Sequence, residues 1–180
     1  PLESPFIAIA TQNPFESEGV FPLIEAQKDR FMFSIQVGHL DGEHELDLIT
    51  RESGGALDWD VYAAGLEPIM DRDMIHGFIG LVDSIHIEET VLRYIRDLVV
   101  ATRRHGDVRV GASSRASIAL VRGSRVLAAL SERAYVTPDD VKKLVPATFQ
   151  HRVILEREAE ISGVTVAQVI REILDTTGVP

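Results

Sequence analysis

Three short segments hold the residue types that handle phosphate or activated water. The first is Thr11-Gln12-Asn13, which closes the apolar run Phe6 to Ala10 and is followed by Pro14. Polar residues at the carboxyl end of a buried strand sit where α/β sheets place their ligands. An asparagine there can orient a water or touch a terminal phosphate. The competing reading is that Asn-Pro only makes a turn, and spacing alone favours it. The second segment is Glu25-Ala26-Gln27-Lys28-Asp29-Arg30. Arg30 is either presented to a phosphate, in this copy or a neighbouring one, or is half of a surface ion pair of little worth. The third is Gly111-Ala112-Ser113-Ser114-Arg115-Ala116-Ser117, which opens a long helix. A cation in a first helical turn opposes the helix dipole. Arg115 therefore calls for a counter-anion, and a phosphate beside the helix start would supply one; otherwise it is an exposed arginine that tolerates a small penalty.

Charge supports the anion reading. The chain of 180 residues is acidic, with 18 basic and 28 acidic side chains and a net charge of −10. Residues 103 to 125 nevertheless carry Arg103, Arg104, Arg109, Arg115, Arg122 and Arg125 against Asp107 alone, a local net of +5. A basic island in an acidic chain suits one specific polyanionic ligand better than DNA, RNA or an anionic membrane. A basic face that merely solvates a helix pair is the alternative.

Composition removes other chemistries. Cysteine is absent, so disulfides, thiolate metal sites and a cysteine nucleophile are excluded, and this usage fits a cytosolic protein. The six histidines show no compact ligand spacing. No uncharged apolar run approaches the roughly 18 residues of a membrane helix. The only lysines are Lys28, Lys142 and Lys143, and none precedes Ser or Thr, so no G-x-x-x-x-G-K-[ST] phosphate loop exists. No Asp-Glu dipeptide occurs either. Nucleotide chemistry would need parts outside this chain.

The elements that must position these residues fall into two groups. Residues 1–38 have an α/β character. Phe6 to Ala10 reads as a buried strand, Leu23 to Asp29 as a short helix, and Phe31 to Val37 as a second strand. Residues 39–180 read as helical. Asp41 caps a helix whose apolar face is Leu46, Leu48 and Ile49, and residues 54–67 read as loop around Trp59 and Tyr62. Val91, Ile95, Leu98 and Thr102 share a helical face that ends in Arg103-Arg104-His105-Gly106. A long helix spans 112 to 131. Thr137-Pro138-Asp139-Asp140 opens another helix, His151 to Leu155 is a short extended candidate, and Thr165 to Gln168 is a capping box.

Phe6 to Pro14, Glu18-Gly19, Phe21-Pro22-Leu23, Glu25-Ala26-Gln27 and Asp29-Arg30-Phe31 resemble the MoxR family of AAA+ ATPases. Gly111 to Ala116 resembles that family's G-A-S-P-R-A segment, with Ser114 in place of Pro, and His151 to Leu155 with Glu158-Ala159-Glu160 resembles the end of its lid. The likeness runs over essentially the whole chain in order. It implies a fold: an α/β remnant, the last two strands of an AAA+ αβα core, followed by a mainly α-helical lid domain. It implies roles: Asn13 as the sensor-1 residue, Arg30 as the arginine finger, Arg115 as the sensor-2 arginine, and Glu25 near the nucleotide or the subunit interface.

It also implies setting. The full-length protein would bind ATP with Mg and hydrolyse it as a homo-oligomer, a hexameric ring. It would act as a cytoplasmic chaperone-like remodeller, with a von Willebrand factor A domain protein as a candidate partner. The phosphate loop and the metal-binding acids would precede Pro1, so this chain alone would neither hydrolyse ATP nor bind it tightly. Two other readings stand beside this one: a helical protein-interaction module without nucleotide chemistry, and, more weakly, a nucleic-acid-binding helical domain that uses the +5 segment.

Overall fold

A computed structural model of the chain describes residues 3–12 and 23–180, with the side chain of Trp59 left aside. The element order is α1 (Glu25–Lys28), α2 (Gly42–Ser53), α3 (Trp59–Ala64), α4 (Arg72–Ser84), α5 (Glu89–Arg104), β1 (Val108–Val110), α6 (Ser114–Leu130), α7 (Pro138–Phe149), β2 (Ile154–Leu155), α8 (Arg157–Ile161) and α9 (Val166–Thr176). The class expected from the sequence holds: a short leading segment that carries one brief helix, α1, then a mainly helical body.

Local chemistry sets the helix starts. The carboxylates of Asp41, Asp58 and Asp71 accept from backbone amides at the starts of α2, α3 and α4. Thr137 and Thr165 open α7 and α9 with reciprocal capping boxes to Asp140 and Gln168, which satisfies amides that have no partner inside the helix. The loop expected over 54–67 contains α3, whose signals are Asp58 at one end and Gly65 at the other.

The core lies among α5, α6, α7 and α9. Leu98, Ala116, Leu120, Val141, Val145, Phe149 and Val169 are fully buried there. β1 and β2 pair antiparallel, Val108 opposite Leu155 and Val110 opposite Ile154, and tie the start of α6 to the segment after α7. α5 and the entry to α6 approach closely at Gly111. A Cβ there would lie 2.7 Å from the Arg103 backbone, so no side chain fits without moving the chain.

The two apolar runs expected as strands form no ladder with any described residue. The reason is physical: a strand buried on both faces needs neighbours to hydrogen-bond it. Ile7, Ile9, Ile35 and Val37 are exposed instead. α2 has its expected apolar face, but Leu46, Leu48 and Ile49 are also exposed, and α2 and α4 bury no residue. The beginning of the second run behaves differently. Residues 29–34 dock on the helical body, where the Phe33 ring lies against Gly123 of α6 and the Ser34 amide donates to the Ala147 carbonyl at 2.9 Å. No helix among the described residues is long and apolar enough to cross a membrane.

Candidate functional site

The site is built where α1, α6 and the end of α7 meet. Ser113 caps α6, and its hydroxyl accepts from the Arg115 amide at 3.2 Å. The same hydroxyl donates to the Asp29 carboxylate, 2.9 and 3.0 Å from its two oxygens. Arg115, in the first turn of α6, donates to Asp29 Oδ2 at 2.8 Å. The counter-anion that Arg115 requires is therefore present in the chain: it is Asp29, immediately before Arg30. The pair relieves the penalty of a cation at a helix start. It occupies one terminal nitrogen of a group with five N–H donors. The Arg115 side chain stays 55% exposed, so donors remain for an external anion.

Arg152 completes the site from below, and the sequence reading did not single it out. It follows α7 and is 5% exposed. Its Nε donates to Asp29 Oδ1 at 3.0 Å. Its terminal nitrogens donate to the carbonyls of Asp29 at 3.1 Å, Phe31 at 2.5 Å, Met32 at 3.1 Å and Thr148 at 2.5 Å. His151 Nε2, 3.1 Å from the Phe31 carbonyl, must carry the proton there because a carbonyl only accepts. Gln150 Nε2 donates to the Ser34 carbonyl. One hint was available in the sequence: Gln150-His151-Arg152 places three donors between a helix and an apolar pair. Apart from Thr148, what they bind lies over 100 residues away, and no local pattern encodes that.

Electrostatics follow from the contacts. Burial would push the Asp29 carboxyl up, but hydrogen bonds from Arg115, Ser113 and Arg152 outweigh it and hold the group below its usual 3.8. Burial lowers the Arg152 guanidinium while Asp29 raises it; the group keeps its proton. For His151 burial also dominates and lowers the pKa from 6.5, with the Phe31 carbonyl opposing and the neighbouring Arg152 assisting. His151 is thus neutral in the fold. Its contribution is present above 6.5 and is lost as the pH falls through the lower folded value. Urea unfolding at a series of pH values is expected to show this loss below about pH 6.5. His151→Gln, which keeps an N–H donor but does not titrate, is expected to flatten that part of the profile. An identical slope in both chains would show that His151 does not contribute.

Of the other residues expected at the site, Arg30 lies in the turn after α1. It is exposed, and among the described residues its guanidinium has no hydrogen bond or ion pair. Glu25 is exposed and faces Arg109 at 4.0 Å. Asn13 lies outside the described residues. The structure thus links Arg115 to the turn that carries Arg30, through Asp29, and leaves Glu25 at the edge. No group of three or more His, Asp or Glu that could hold a metal occurs among the described residues. The arrangement offers two exposed guanidinium groups, Arg30 and Arg115, fastened to one frame. Planar guanidinium groups suit contact with an oxyanion.

Comparison with known proteins gives the context. Residues 100–173 match the model of the AAA lid domain, and residues 1–33 match that of the ATPase family associated with various cellular activities. The uncharacterized protein YeaC of Bacillus subtilis is 36% identical over 99% of this chain and 54% of its own length. Chaperone MoxR1 of Mycobacterium tuberculosis is 34% identical over 100% of this chain and 48% of its own. The crystal structure of a candidate ATPase from Cytophaga hutchinsonii superposes with a TM-score of 0.89 at 34% identity, covering 100% of this chain and 56% of that one. The chain spans about half the length of the curated relatives it matches.

Proposed function

The chain belongs to the MoxR family of AAA+ ATPases, and from that premise we propose that it is the part of such an ATPase that reads and completes a nucleotide site built elsewhere. The observation that carries the proposal is the pairing of two exposed arginines on one frame, Arg115 directly and Arg30 through its neighbour Asp29. ATP is the substrate. Phosphoryl transfer spreads negative charge over the transferring group, and fixed cations around it stabilise that charge.

Arg115 contacts the phosphates as the sensor-2 arginine, oriented by Asp29 and carrying spare donors. Arg30 serves as the finger, reaching the nucleotide of the adjacent subunit in a homo-oligomeric ring. Asn13 positions the attacking water, and Glu25 with Arg109 lies at the rim of the subunit contact. ATP supplies the phosphoryl group, and Mg held by other residues would neutralise its oxygens. The residues of this chain bind, orient and shield charge, and none of them is asked to move a proton. Coupled to such a ring, hydrolysis would drive chaperone-like remodelling, as the name of the mycobacterial relative suggests for that protein.

The test is turnover by the full-length protein. Arg115→Ala is expected to lower the rate by about 100-fold, the scale for losing one transition-state donor. It is expected to leave the fold intact, because the pair it breaks is half exposed. The 180-residue chain alone is expected to show no turnover. Full activity in Arg115→Ala, or hydrolysis by the chain alone, would refute the assignment.

A further inference from the structure

The finger assignment leaves open what holds Arg30 in place, since an arginine on a short turn whose side chain has no partner among the described residues is a poor reference point. The turn itself has few bonds of its own. The amides of Asp29, Arg30 and Phe31 donate back to Glu25, Gln27 and Lys28 at 2.9, 3.2 and 3.0 Å. Among the described residues, the other hydrogen bonds to its backbone come from residues 147–152. The carbonyls on both sides of Arg30, those of Asp29, Phe31 and Met32, all accept from Arg152. Phe31 accepts from His151 as well, and Ser34 is held by Ala147 and Gln150. The Asp29 side chain then reaches the other way and takes Ser113 and Arg115 at the start of α6.

We infer that Asp29 and Arg152 are positioning residues that weld the Arg30 turn to the lid, so that the finger and the lid move as one body. This rests on the reading of Arg30 and Arg115 given above and deepens it. The weld is buried where it must be rigid, at Arg152 with its side chain 2% exposed, and open where it must meet a ligand, at Arg115 with 55%. A guanidinium is suited to this because its planar fork offers five donors in fixed directions, and Arg152 spends them on the backbone of residues 29–32, the Asp29 carboxylate and the Thr148 carbonyl of α7. The functional consequence is coupling. When Arg115 is drawn to a phosphate, the pull passes through the Asp29 carboxylate to the backbone next to Arg30, over one hydrogen bond and one short side chain. Asp29 does not touch the substrate in this scheme. It transmits position. Misplacing a catalytic group by about 1 Å costs on the order of 100-fold in rate, so slack in the weld is expected to appear in kcat.

The test has two arms. In the 180-residue chain, Asp29→Asn is nearly isosteric and keeps one acceptor oxygen. Amide exchange of Phe31 and Ser34 is expected to accelerate at least about tenfold, while the core amides of α5 and α9 keep their protection. In the full-length ATPase, the same variant is expected to lower kcat by about 10- to 100-fold with KM for ATP and ring assembly unchanged. Arg152→Lys, which keeps the charge and loses the fork, is expected to give the same split if Asp29→Asn proves unstable. A merely structural role would lower stability and assembly together and leave kcat per assembled ring unaltered; that result overturns the inference. Unchanged exchange at Phe31 and Ser34 overturns it as well. Asp29→Asn at full kcat beside an inactive Arg30→Ala overturns the weld and spares the finger. Arg30→Ala at full kcat removes the finger, and the exchange arm then decides whether the weld exists.

Discussion

Arg152→Met is expected to cost the helical body about 3–5 kcal/mol, the usual result of removing one partner from a buried ion pair. Methionine keeps the apolar stem and loses the guanidinium. Three carbonyls, those of Asp29, Met32 and Thr148, would lose the Arg152 donor and Phe31 would keep only His151, and an unsatisfied buried acceptor costs about 1–3 kcal/mol. The costs do not simply add, because the turn can lift off and let water in. That undocking caps the loss, and it would also release the Phe33 ring from Gly123.

The contrast with the other two ion pairs of the site is informative. Arg115 with Asp29 and Arg109 with Glu25 are half exposed, and pairs of that kind are worth about 0–1 kcal/mol. Three arginines near one turn should therefore rank very differently in stability. Only Arg152 should matter for folding, and Arg115 should matter for turnover. Guanidinium-induced unfolding at pH 7 would measure the ranking. A loss below about 1 kcal/mol for Arg152→Met would mean that water replaces the guanidinium at little cost. The same substitution removes one of the hydrogen bonds that hold the Asp29 carboxyl low. Asp29 contributes stability above 3.8 that is lost as the pH falls through its lower folded value, so in the variant that contribution should be smaller and its loss should be complete at a higher pH.

What the sequence made legible was what chemistry makes local. Asp41, Thr137 and Thr165 cap their helices through atoms three residues away, so the pattern and its cause lie in the same window. The face Val91, Ile95, Leu98, Thr102 is buried because a period of 3.6 cannot point elsewhere. The strands were a different matter. Phe6 to Ala10 and Phe31 to Val37 have the composition of buried strands, but a strand exists only through partners. α3 was missed because six residues carry too little period to outweigh the glycines at 54, 55 and 65.

The site divides along the same line. Arg115 was legible as a cation in need of an anion, and the identity of the anion was not. Asp29 sits 86 residues away and Arg152 reaches back 123. A separation of that size is set by the fold, and a single sequence has no period that reports it. Resemblance to a family reached Arg30 and Arg115 because it carries roles. It covered the segments of Asp29 and Arg152 but gave those two no role, and the geometry shows that they join the Arg30 turn to Arg115.

On the proposed assignment, Arg30→Ala in the full-length protein is expected to lower turnover by about 10³- to 10⁵-fold, the range for an arginine finger, with ATP affinity changed little. The argument rests on what Arg30 does not do. It makes no side-chain bond among the described residues and contributes nothing to the core, so its loss should leave unfolding unchanged. A residue that is neutral for folding and decisive for rate must act on something outside its own chain or within the substrate. Mixing separates those cases. Subunits carrying Arg30→Ala have an intact phosphate site, and subunits disabled in the phosphate loop have an intact finger. If Arg30 acts on the neighbour, mixed rings recover part of the turnover that neither parent shows. If it acts on its own nucleotide, mixing recovers nothing. Arg30→Lys should not restore the rate in either case, because a point charge cannot span two phosphate oxygens as a planar fork does. Turnover in Arg30→Lys near that of the unaltered protein would mean that charge alone is required, and the weld at Asp29 would then be holding a position that the chemistry does not need.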